Sequence, residues 1–276
     1  MSILTLLVAS LLATPILYLL AKFNTKIAYG AYAVLQVFSF IYVFFTGRSN
    51  VSYEVIGITE RLNFNFGITP TNWFFASIVL LIISMSAIFM FPLKKSPVKI
   101  FLLGLVSAGT LGAVFSQDFL TLMIFWEIST WASLILIIQD KEKSLKEAIK
   151  YVAIASIGTY SMLFAIFYML DKLGSIEFST VAARIGGATA EVQLVILISL
   201  GVMVLAKMGV FPLHIWLRGS HSSAPDEFSP ILSGALTKIG AFLLFIITSA
   251  LPSFMIFSKL PVFNGIPMVN YTFALL

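Results

Sequence analysis

The chain reads as an all-α polytopic membrane protein, on three observations. Of its 276 residues, 59% are hydrophobic and 11% charged, with a mean hydropathy of +1.02, whereas soluble domains are about half apolar and about a quarter charged. Apolar runs recur from the first residues almost to the last, each long enough for a bilayer core of roughly 30 Å, which takes about 20 residues per helix. Stretches such as "IVLLIISMSAIFMF" and "EVQLVILISLGVMVLA" are apolar on every face, unlike the alternating strands of a membrane barrel.

Eight spans follow, near residues 2–21, 27–46, 71–93, 98–116, 118–138, 149–170, 192–221 and 229–252. The opening "MSILTLLVAS" lacks the basic region of a signal peptide and its apolar stretch runs to Ala21, so it reads as a retained first helix. Segments 47–70 and 171–191, with Asn, Gly, Thr and charges, read as outer loops with short helices. Asp118 in "SQDFL" is placed to cap the fifth span. Ser144 and Glu147 in "SLKE" have the spacing of a capping box at the start of the sixth. Asp226 and Glu227 favour the start of the eighth through its dipole. Trp126 and Trp131 read as apolar packing around Glu127.

The formal charge of +5 is explained by topology. Segments after odd-numbered spans hold Lys22, Lys26, Lys94, Lys95, Lys99, Lys141, Lys143, Lys146, Lys150 and Arg218, while the opposite side holds Arg48, Arg61, Lys172, Arg184 and Lys259. The richer side is therefore expected to be cytoplasmic, with the N-terminus outside. This distribution removes the main support for nucleic-acid binding. With no cysteine, Cys-ligated iron–sulfur clusters, disulfides and thiol catalysis are excluded, and two histidines are a poor basis for a metal or haem centre.

Three ionisable residues lie inside spans: Glu127, Lys207 and Lys238. Glu127 is roughly 15 Å into its helix at 1.5 Å per residue, and the two lysines fall at similar depth. A charge at a helix centre costs roughly 2.5 to 3.5 kcal/mol on insertion scales, so each must be paired, neutralised or turned to water. An inert ion pair between Glu127 and a lysine would meet that need. Lys207 has further unusual neighbours, because Pro212 removes a backbone donor and crowds the carbonyl of Met208, while Gly209 loosens the same turn. Freed backbone at this depth is tolerated only inside protein or beside a watery cavity, so a lysine at a broken helix points to an ion path. His214 lies seven residues beyond Lys207 and His221 seven beyond His214, which returns to about the same face after two turns. Imidazoles pass protons near neutral pH, although an interfacial resting place suits either residue, His221 more than His214.

The energy available to a relay of this kind is of the right size to help. At an effective dielectric near 20, charges about 4 Å apart interact by about 4 kcal/mol, and doubling the distance halves that. The difference is close to the roughly 2.3 kcal/mol needed to move one charge through 100 mV. Moving Glu127 relative to Lys207 is thus expected to help drive a proton on to Lys238.

"DFLTLMIFWEISTWASLILI", "EKSLKEAIKYVAIASIGTYSMLFAI" and "LAKMGVFPLHIWLRGSHSSAPDEFSPILSGALTKIGAFLL" together resemble the antiporter-like membrane subunits of respiratory complex I. The same family includes Mrp cation/proton antiporters and membrane-bound hydrogenases. The resemblance covers roughly residues 98 to 250, and its K-x-x-x-x-P-x-H-x-W-L element is the selective part. It implies one five-helix antiporter-like repeat with a discontinuous seventh helix, and three divisions: a three-helix segment 1–97, the repeat 98–252, and a tail or start of a ninth helix 253–276. It matches Glu127, Lys207 and Lys238 to the family's glutamate and two lysines, and His214 and His221 to the histidines of its cytoplasmic half-channel. Asp226 and Glu227 depart from the family's uncharged "AP-x-P" stretch.

The function this implies is proton or sodium translocation in a complex I-like or hydrogenase-like membrane oxidoreductase. No redox chemistry or cofactor is expected in this chain, and iron–sulfur or metal centres are expected only in partner subunits. Partners would be the lipid bilayer and other membrane subunits, including one that supplies a second, inverted repeat; no nucleic acid is expected. A non-conducting scaffold subunit and a self-contained transporter are the competing readings.

Overall fold

Lipid offers no partner for backbone polar groups, so each crossing segment must satisfy its own, and helices do so here throughout. The computed structural model describes residues 2–47, 52–57, 63–91, 96–138, 141–250, 262–263 and 266–267. The helices are α1 (Ile3–Phe23), α2 (Thr25–Thr46), α3 (Pro70–Phe89), α4 (Pro97–Phe115), α5 (Phe119–Ile138), α6 (Lys141–Leu173), α7 (Phe178–Ile185), α8 (Ala190–Met208), α9 (Ile215–Ser223), α10 (Ser229–Ile231) and α11 (Thr237–Ala250). A π-helical turn, Leu232–Leu236, joins α10 to α11. Among the described residues eight helical segments are long and apolar enough to cross a membrane: α1 to α6, α8, and the run Ser229–Ser249. The protein is a multi-pass helical membrane protein.

Local chemistry sets the turns. Asn24 ends α1 and caps α2, its side-chain oxygen accepting from the amide of Ile27 at 3.2 Å, so the two helices are joined through one residue. Thr69 and Asn72 form a reciprocal cap that opens α3, and Pro70 holds the first helical position. Helix α4 lies at the centre, packed against α1, α3 and α5. Its small residues let α5 close in: a Cβ at Gly112 would overlap the Phe125 ring. Without a hydrophobic drive between helices in lipid, such close approach is what holds them together.

At one end of the bundle the segment after α2 folds as an antiparallel hairpin, β1 (Ser52–Gly57) with β2 (Asn63–Ile68), in which Val55 faces Asn65. This corrects the expectation of short helices over 47–70. "NFNFGI" alternates as a half-buried strand does, and its buried Phe66 ring meets Phe125 edge-on at 5.5 Å. The segment 171–191 holds the expected short helix as α7. At the opposite end stand the α1–α2 turn, the first turns of α6, and α9. Helix α6 begins at Lys141, so Ser144 lies within it and is not its cap. The charged "KEKSLKE" is itself good helix-forming sequence and extends the helix outward. The start of a ninth helix over 253–276 lies outside the described residues, apart from the two-residue strands Val262–Phe263 and Ile266–Pro267.

Candidate functional site

Lys207 is 5% exposed and sits in the last turn of α8, at the break of the expected discontinuous seventh helix. The expected seventh span of 192–221 is two helices. Gly209 ends α8 with φ 66° and ψ 38°, a left-handed cap that glycine adopts without a Cβ penalty. Its amide and that of Val210 both donate to the carbonyl of Leu205. Pro212 therefore stands beyond the helix, in the turn before α9, and does not crowd the carbonyl of Met208 as the sequence suggested. The Trp216 indole donates to the Ala206 carbonyl at 2.8 Å, which closes another free helix-end acceptor. A cation at this end is also favoured by the helix dipole.

The Lys207 ammonium reaches α5. Nζ donates to Thr130 Oγ1 at 3.0 Å and lies 4.4 Å from the centre of the Trp126 ring, so this indole provides a cation–π face in addition to packing. Trp126 is 1% exposed and its Nε1 has no partner among the described residues. Trp131, by contrast, is exposed. Tyr151 of α6 directs its buried hydroxyl towards Ser133 and Thr130, without completing a hydrogen bond. Close helix approach makes this grouping possible. A Cβ at Gly158 of α6 would lie 3.0 Å from that of Ala206, and one at Gly240 of α11 would lie 3.3 Å from that of Lys207.

Glu127 is half-buried one turn before Thr130 on α5, and Oε1 accepts from Thr159 Oγ1 of α6 at 2.6 Å. The ion pairs among the described residues are Lys99–Glu227, Glu147–Lys150 and Asp171–Lys172. Glu127 and Lys207 are thus neighbours held by different hydroxyls, and the inert Glu127–lysine pair is not formed. Lys238 is half-buried just past the π-helical turn, a kind of irregularity that gathers at functional sites. It lies two residues before Gly240, which turns it about 200° away from the face that meets Lys207. His221 is half-buried and shares a hydrogen bond with Ser229 at 2.9 Å, and burial lowers its pKa below the usual imidazole value. His214 is exposed at the start of α9, its ring 5.8 Å from that of Phe211.

Several partners were not visible in the sequence. Thr130, Thr159, Ser133 and Tyr151 sit at ordinary positions in apolar helices, and only packing brings their hydroxyls to the charges. Glu227 is 7% exposed and pairs with Lys99 of α4, so it ties the connector after α9 to the bundle besides lying before a helix start. A groove of about 370 Å3 between α8 and α11 is lined by Leu197, Leu205, Met208, Leu244 and Ile247, apolar side chains that suit lipid and offer an ion nothing.

The fold and site define a class: a polytopic helical membrane protein with a buried lysine at the break after α8 and a carboxylate on α5. A family model described as "NADH:quinone oxidoreductase/Mrp antiporter, TM" matches residues 116–266. The chain belongs to that family. Among its relatives, an Na(+)/H(+) antiporter subunit of Alkalihalophilus pseudofirmus is 30% identical over 138 residues, covering 49% of this chain and 28% of the relative. NADH-quinone oxidoreductase subunit M of Rickettsia bellii is 26% identical over 222 residues, covering 76% and 44%. The chain thus spans less than half the length of these relatives. A chain in the structure of the Mrp complex from a Dietzia species shares the fold, with a TM-score of 0.85 at 21% identity over 91% of this chain and 28% of that one.

Proposed function

We propose that this chain is an ion-translocating membrane subunit in which Glu127, Lys207 and Lys238 form the mid-membrane relay. The observation that carries this reading is Lys207 itself: a buried ammonium with three donors, a single hydroxyl acceptor and, among the described residues, no carboxylate within ion-pair distance. A structural lysine at that depth would be paired. The family's named relatives include an Na(+)/H(+) antiporter subunit and an NADH-quinone oxidoreductase subunit, which supports ion transfer as the task and a multi-subunit membrane complex as the setting. Partner membrane subunits complete the path to the far face, and any electron carriers belong to them. The lysine-rich α9 end is cytoplasmic and the N-terminus outside. His221, held by Ser229 at the start of α10, is the histidine that would feed Lys238. His214 is peripheral.

The assembled complex in sealed vesicles tests this. Lys207→Ala is expected to abolish ion flux while the complex still assembles; flux at the wild-type level would overturn the relay.

A further inference from the structure

The relay needs a supply of ions from the α9 end, and the histidines do not lead to Lys207: His221 turns to Ser229 and His214 faces outward. Helix α6 offers another route. Its 33 residues extend roughly 50 Å at 1.5 Å per residue, longer than the bilayer core, so its first turns stand clear of the membrane at that end. Glu147, in these turns, has 15% of its side chain exposed and pairs with the more open Lys150 at 2.8 Å. The carboxylate is tucked against α9 where that helix carries a glycine: a Cβ at Gly219 would overlap Glu147 Oε2.

Tyr151 follows one turn later on the same face of α6. Its ring packs edge-on against Trp216 at 5.2 Å, and its hydroxyl points inward to Ser133 and Thr130. Thr130 in turn accepts from Lys207. Two hydroxyls along this line are fully buried without a partner among the described residues, those of Tyr151 and of Ser220 beside Gly219. Buried hydroxyls are satisfied in native proteins, by ordered water where protein supplies nothing.

We propose that Glu147 and Tyr151 form a proton-intake branch that runs down one face of α6 to Thr130 and Lys207. Glu147, taking a proton from the α9 end, passes it through internal water to the Tyr151 oxygen as Tyr151 releases its own proton towards Thr130. Thr130, rotating its hydroxyl off the Trp126 carbonyl, gives its proton to the neutral Lys207 amine as it takes the one from Tyr151. The carboxylic acid becomes a carboxylate, the amine becomes an ammonium, and both hydroxyls end as they began. Such a chain carries protons and not sodium, so the ion that reaches Lys207 is H+.

The branch rests on the relay proposed above, and variants of the assembled complex in vesicles separate the two. Tyr151→Phe keeps the ring on Trp216 and removes only the hydroxyl. Proton flux at equal assembly is expected to fall roughly tenfold or more in Tyr151→Phe and in Glu147→Gln, the size of a lost acid–base group, and to be largely restored in Glu147→Asp. The ratio of flux in H2O to that in D2O should rise in Tyr151→Phe, which loss of packing alone would not cause. Should Tyr151→Phe fail to assemble, Glu147→Gln decides alone. Wild-type flux in Glu147→Gln, with Lys207→Ala inactive, overturns the branch and leaves the relay standing. Wild-type flux in Lys207→Ala overturns both.

Discussion

Asp118 and Lys207 are both buried charges beside the end of a helix, and the protein treats them in opposite ways. Asp118 is fully buried, and its carboxylate is surrounded by donors: Oδ1 accepts from the Thr121 amide at 2.7 Å, and Oδ2 from the Asn65 amide at 3.0 Å and from Thr121 Oγ1 at 2.5 Å. Burial pushes its carboxyl above the usual range, and these donors draw it back. Asp118 thereby caps α5 and binds the hairpin to it. Lys207 has one hydroxyl and an indole face for three N–H donors. A buried charge with every valence used fixes structure, whereas one with valences to spare can change partners, and that difference separates scaffold from machinery in this molecule.

The sharpest way to break the comparison is to remove each charge and measure stability and flux together. Lys207→Met is expected to lose flux completely while its thermal unfolding in detergent is unchanged or higher, because removing an under-satisfied charge relieves a cost of roughly 2.5 to 3.5 kcal/mol. Asp118→Ala should show the reverse, with flux per assembled complex retained. Loss of the cap costs roughly 0.5 to 2 kcal/mol, while the Asn65 amide loses its charged acceptor and keeps only Thr121 Oγ1 at 3.1 Å. Asp118→Asn keeps an acceptor for the Thr121 amide and should recover most of that stability. A Lys207→Met protein that unfolds more readily than Asp118→Ala would show that the lysine is structural.

A smaller effect is expected at Gly209, where the two roles meet. The residue holds φ 66°, a conformation that costs an L-residue roughly 1 to 2 kcal/mol, so Gly209→Ala should destabilise by about that much. Because this cap sets where α8 stops, flux should also fall. A destabilised protein with unchanged flux would mean that the cap does not position Lys207.

What the sequence revealed and what it hid follow one physical division. The spans were legible because lipid demands about 20 apolar residues: α1, starting at Ile3 and ending at Phe23, lies within two residues of its expected bounds. The cap at Asp118 was legible for the same local reason, since a short acceptor before an apolar run has few other uses. The charges Glu127, Lys207 and Lys238 stood out against their apolar surroundings. Their partners did not, because Thr159 and Glu127 are 32 residues apart and Thr130 and Lys207 are 77 apart. Threonine in a membrane helix most often returns its hydroxyl to its own backbone, as Thr130 also does to the Trp126 carbonyl at 2.9 Å. The break at Gly209 was seen but attributed in part to Pro212, because sequence shows which residues can break a helix and not which one ends it first.

The two histidines offer the finest test of whether burial marks function here. They share a helical face by sequence spacing, yet the folded chain gives them different surroundings: His221 is half-buried, uncharged near neutral pH because burial lowers its pKa, and bonded to Ser229, while His214 is exposed beside Phe211. A neutral imidazole in a polar contact is ready to accept a proton and pass it on, whereas His214 packs beside the Phe211 ring, which cannot relay one. His221→Ala is therefore expected to slow proton flux, and His214→Ala to leave it at the wild-type level in the same vesicles. Flux lost in His214→Ala and kept in His221→Ala would place the intake route on the outer face of α9, where these contacts give it no support.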